Sequence, residues 1–184
     1  MLLLFYNHKI NNMPNWIMYG LTSALFWGIY SNFSKVVTSE KFLKIQSDLS
    51  SLLMLAGISI VFLGYFLIKS QIGFNYKLIV IILLIAIVGI MLFIVNKSGV
   101  DISWKVILFG LGQGVLWSLG MIFTFLAFSS GAEAAKLVPI YNTNTLIAVL
   151  IGMSFLHEVP SPDERIKVIS GALLIVLGGI LVSK

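Results

Sequence analysis

Six stretches of this chain run for about twenty residues with at most one charged side chain each, separated by short breaks that carry lysine, acidic residues or proline. That pattern constrains the fold more than any motif, because a helix needs about 20 largely apolar residues to cross the hydrocarbon of a bilayer. The runs cover residues 16–37, 49–68, 78–95, 106–128, 137–156 and 166–182. They are too long for barrel strands, and lipid offers no partner to an open backbone, so the segments must be helices. Composition agrees: 59% of residues are hydrophobic, 10% are charged, and mean hydropathy is +1.03. In soluble domains charged residues approach roughly 25%. The expected fold is all-α, a polytopic transmembrane helix bundle of about six spans in the cell membrane.

The charge inventory excludes several functions. A net charge of +5 without a basic cluster suits loop lysines facing anionic lipid and gives no nucleic-acid surface. Without cysteine there is no disulfide, thiolate nucleophile or cysteine-ligated metal. Glu40, Asp48, Asp101, Glu133, Glu158, Asp163 and Glu164 all fall in breaks or at run ends, so no span carries the buried carboxylate that proton-coupled antiport normally uses. Phosphate loops, nucleophile elbows and metal-spaced ligands are also missing, so the sequence reads as no enzyme and implies neither cofactor nor metal.

If all six runs cross, Lys35, Lys41, Lys44, Lys97, Lys105, Arg165 and Lys167 lie on one side, against Lys9, Lys69, Lys77, Lys136 and Lys184 on the other. Seven against five is a weak bias, which suits a protein that inserts in both orientations. The opening "MLLLFYNHKINN" is too short to span and lacks a signal cleavage pattern. Residues 1–15 therefore read as a short leader, with Met13 an alternative start, and residues 16–184 as a single transmembrane domain. Before the last run, "SPDER" offers Ser161 as cap, Pro162 at the first helical position and Glu164 for a capping box.

The polar residues inside the runs are patterned. In "KLVPIYNTNTLIAVL", Tyr141, Asn144, Thr145, Ala148 and Gly152 recur at three- and four-residue steps, a stripe along one helix face. Gln113, Trp117, Gly120 and Thr124 repeat it, as do Ser23, Trp27, Tyr30 and Ser34. Converging, the three faces would enclose a small-molecule pocket with flat apolar walls and neutral hydrogen-bonding groups. The candidate substrate-binding residues are Trp27, Tyr30, Gln113, Trp117, Tyr141, Asn144 and Thr145. The competing reading is that these groups bond neighbouring helices, each bond contributing on the order of 1 kcal/mol. Under it the chain is a non-transporting structural or accessory subunit. Asn142, off the stripe, suits end-capping, and Trp16 and Trp104 suit interfacial anchors. The glycines at 110, 114, 171, 178 and 179 suit close helix packing.

"GLTSALFWGIYSNFSK" and "GVLWSLGMIFTFLAFSSGAEAAKLVPIYNTNTLIAVLIGMSFLHE", followed by "GALLIVLGGILV", resemble the EamA repeat of the drug/metabolite transporter superfamily, in particular its single-repeat bacterial and archaeal members. The matching elements are an aromatic-Trp-Gly in the first helix, a Gly/Ala turn before a "VP" helix ending near Glu158, and a Gly-rich final helix. The repeat has five spans, so the apolar segment within residues 71–98 is an insertion that alters the usual topology. The resemblance implies a transporter in which two oppositely oriented repeats enclose a substrate path. With one repeat per chain, it implies a homodimer, antiparallel where both orientations insert. The expected function is movement of a small neutral or zwitterionic metabolite across the lipid bilayer by alternating access.

Overall fold

The computed structural model describes residues 14–71, 73–97, 103–158 and 161–183. Seven helices follow one another among these residues: α1 (Asn15–Thr38), α2 (Ser47–Lys69), α3 (Phe74–Lys97), α4 (Trp104–Ser129), α5 (Ala134–Tyr141), α6 (Asn144–Ser154) and α7 (Pro162–Ser183). Each apolar run is helical to within a few residues of its expected ends, and the fifth is divided between α5 and α6. Residues 1–13 of the expected leader, and Lys9, Asp101 and Lys184 of the charge tally, lie outside the described residues.

Among the described residues four stretches are long and apolar enough to cross a membrane: Ser47–Lys69, Phe74–Met91, Trp104–Ser129, and Ala134–Ser154 taken across the division. In α1 Asn32 and Lys35 fall within the apolar run, and Asp163, Glu164 and Arg165 open α7 ahead of its run. The Phe74–Met91 stretch is covered least, with 6% of it buried, and Ile79, Ile82, Ile85 and Ile90 are all exposed on it. A helix apolar all round is stable inside a protein core or in lipid, so this surface fits an acyl-chain solvent.

The chain forms two compact units, one drawn from Met1–Ile29 with Gly120–Lys184 and one from Tyr30–Leu119. They are termed the split unit and the central unit. In the central unit Val37, Ile45, Leu49 and Leu53 make the core, flanked by Phe33 and Phe109 stacked at 5.1 Å. The chain reverses between α1 and α2 through Lys44 at φ 48°, where the Ile45 N–H returns to the Val37 carbonyl at 2.9 Å. Gly57 and Gly114 let α2 and α4 touch backbone to backbone. A Cβ at 114 would strike the Met54 carbonyl, and one at 57 the Leu111 carbonyl. Such contact is what apolar helices rely on when lipid removes hydrophobic attraction between them.

In the split unit the early turns of α1 pack on the late turns of α4 and on the α5–α6 pair. Gly20 faces Leu137 and Ile140, and Gly28 faces Ile147. α7 packs on both α5 and α6. It begins at Pro162, and the Glu164 carboxylate accepts from both the Ser161 N–H (3.3 Å) and the Ser161 hydroxyl (3.0 Å). This is half of the expected capping box, since the hydroxyl donates to the carboxylate instead of accepting from the backbone.

Candidate functional site

The fifth apolar run is where local sequence departs from a regular helix. Pro139 removes one backbone donor inside α5. One turn later the Thr143 N–H reaches the Ile140 carbonyl at 3.1 Å, and the Thr143 hydroxyl donates to that same oxygen at 2.7 Å. Serine and threonine compete with the ladder in this way. Thr145 and Leu146 continue the three-residue pattern, donating to Asn142 and Thr143. The backbone between Tyr141 and Asn144 is thus a tightened turn, with Asn142 exposed at the C-cap of α5. At a rise of 1.5 Å per residue the break lies roughly 12 Å along a 21-residue stretch, close to its middle.

A cavity of about 330 Å3, open on one side, borders this break. Ile17 and Leu21 of α1 form one wall, and Val176, Gly179 and Ile180 of α7 form another. The broken helix supplies Ile140, Thr143, Leu146 and Ile147. Among the described residues Thr143 carries the single polar side chain of the lining, and no titratable group takes part. Gly179 admits the close approach of α7, since a Cβ there would stand 3.1 Å from the Pro139 carbonyl oxygen and 3.4 Å from Thr143 Cγ2.

None of the seven residues singled out from sequence lines that cavity. Four belong to the split unit. The rings of Trp27 and Tyr141 meet edge to face at 5.0 Å, with Trp27 also lying against Gly120. Asn144 turns its backbone carbonyl towards Gly28, and its side-chain oxygen accepts from Thr145 at 3.4 Å. The polar stripe, through Tyr141 and Asn144, and the cavity face, through Ile140 and Ile147, therefore both meet α1, and the cavity face differs in also meeting α7 at Thr143.

Comparison with family models, curated proteins and solved structures finds no match.

The other three belong to the central unit, where two bond to one face of α2. Gln113 is 2% exposed and donates to the Ser50 hydroxyl at 2.9 Å; Tyr30 donates to Met54 sulfur at 3.6 Å. Trp117 is half-buried one turn beyond Gln113. A further polar pair, Ser23 with Thr124, is closed in the split unit at 2.9 Å. Thr124 already donates to the Gly120 carbonyl, so Ser23 is the donor. Trp104 is largely exposed at the start of α4. Among the described residues no group of acidic or histidine side chains could hold a metal.

Sequence reasoning missed the cavity residues because, apart from Thr143, they are aliphatic or glycine and read as lipid-facing or packing positions. The available signals were Pro139 with a hydroxyl one turn later, and Gly179 opposite them.

Proposed function

We propose that this chain is a multi-pass transporter of the cell membrane, moving a small neutral or zwitterionic metabolite by alternating access as a homodimer. The observation that carries the reading is a helical stretch of membrane-crossing length, Ala134–Ser154, broken near its middle beside an uncharged cavity. Irregular backbone at membrane depth is tolerated where it is buried in protein or lines a cavity, and discontinuous helices build the central sites of many transporters. The uncharged lining favours a neutral solute, because an ion without a partner is costly at that depth. Six crossings, with α1 and α7 completing the set, and membership of the EamA-type drug/metabolite transporters belong to the same proposal. It draws on the aromatic-Trp-Gly of α1, the "VP" of α5 and the glycines of α7.

A second reading keeps the chain as a structural or accessory subunit. It is favoured by Gln113–Ser50 and Ser23–Thr124, polar pairs already closed on each other. Counterflow in proteoliposomes, with a panel of labelled neutral and zwitterionic solutes, separates the two. Transport predicts saturable exchange of at least one solute, lost in Gly179→Leu, which crowds the cavity, while the protein still assembles. Variants that fail to assemble, or a wild-type protein that exchanges nothing, would favour the structural subunit. Reporter fusions at both termini and at residues 71–76 test the span count and whether both orientations coexist.

A further inference from the structure

We propose that the cavity of the split unit binds a small neutral aliphatic molecule with a single hydrogen-bond-donating head, in chemical class an alcohol-like amphiphile. The inference deepens the transporter reading and rests on it for the cavity's purpose.

Size sets the first bound. An engineered apolar cavity of about 150 Å3 holds benzene, so 330 Å3 takes a body of on the order of ten heavy atoms. The walls set the second. Leu21, Ile140, Ile147 and Val176 are branched and aliphatic, with neither a ring to stack a planar ligand nor a charge to pair an ion. A charged or multiply polar molecule would lose its hydration there without replacement, at a cost of several kcal/mol. Thr143 fixes the head. Its proton lies on the Ile140 carbonyl at 2.7 Å, so towards a ligand the hydroxyl can act only as an acceptor and matches a donor. A lipid tail would leave that acceptor unmatched, so a free molecule with a donating head fits better. Gly179 sets the width, because any side chain there meets Pro139 and Thr143 and intrudes on the lining.

The test is photolabelling of the full-length protein in lipid nanodiscs with an octanol that carries an aliphatic diazirine, the sites being mapped by mass spectrometry. The expected result is saturable labelling at residues 140–147 and 176–180, displaced by excess unlabelled octanol. Labelling of the exposed Phe74–Met91 stretch should instead rise linearly with reagent and resist displacement. Gly179→Leu should abolish the saturable component. Thr143→Val keeps the shape and removes the acceptor, so octanol should compete roughly three- to tenfold less well, and this variant carries the test if Gly179→Leu does not fold. Linear, undisplaced labelling at every site would mean bilayer partitioning or tail occupancy only and would overturn the proposal, as would saturable labelling unchanged in both variants. Saturable labelling in a protein whose vesicles exchange no solute would sustain the site and sink transport. Exchange of a polar solute without saturable labelling would do the reverse.

Discussion

The α2–α4 seam of the central unit and the α5–α6 break of the split unit use similar residues to opposite ends. Both combine glycine with a neutral polar side chain among aliphatic neighbours. In the seam, Gly57 and Gly114 bring backbones into contact and Gln113 meets Ser50, leaving the polar groups matched inside protein. At the break, Gly179 brings α7 against Pro139, yet the displaced ladder of α5 leaves a cavity with Thr143 in its wall. The difference lies in the backbone. α4 is continuous and its small residues let another helix nest, whereas between α5 and α6 the ladder tightens to three-residue bonds at Thr143, Thr145 and Leu146. A polar residue in an apolar helix therefore carries no functional meaning until the ladder beneath it is known.

The largest expected effect lies in the seam. Gly114→Leu drives a side chain into the Met54 carbonyl and the Ile58 N–H, backbone that cannot step aside, and should cost more than about 4 kcal/mol. The prediction is loss of monodisperse protein on size exclusion after detergent extraction; a well-behaved variant would show that the seam is looser than described. Gln113→Leu comes next. It strands the buried Ser50 hydroxyl and should cost about 1–2 kcal/mol, read as a lower melting temperature with octanol photolabelling unchanged. Pro139→Ala acts on the other side of the comparison. It restores a donor within α5, so the melting temperature should rise modestly while octanol displacement weakens several-fold. A variant that melts higher and binds as before would separate the cavity from the break. The smallest effect is none: with no titratable group in the lining, saturable labelling should be the same at pH 5.5 and pH 8, roughly the range over which an ordinary histidine changes charge.

Much of the fold is legible in the sequence, for reasons particular residues show. Apolar run length sets the helices, and "SPDER" places the start of α7 at Pro162 because a proline without N–H suits a first helical position. Two members of the stripe on α5 and α6 meet α1, Tyr141 through the ring of Trp27 and Asn144 through its carbonyl beside Gly28. Its role is less legible. Gln113 finds Ser50 63 residues away, a pairing that no local pattern announces. Ile140 and Ile147 line a cavity yet have the side chains that lipid-facing positions would have. Pro139 hints at a break, but its consequence depends on Thr143 capturing the Ile140 carbonyl and on Gly179 arriving from another helix. Those are tertiary facts.

The contrast between an accessible break and a sealed seam can be read in one experiment, since the chain has no cysteine of its own. Single-cysteine variants Thr143→Cys and Ser50→Cys, with exposed Ser130→Cys as reference, would be treated with N-ethylmaleimide in proteoliposomes. The account predicts that Thr143→Cys is modified, more slowly than the reference but to completion and with protection by octanol, while Ser50→Cys stays unmodified until the protein is denatured. Equal protection of the two positions, or modification of Ser50→Cys ahead of Thr143→Cys, would contradict it.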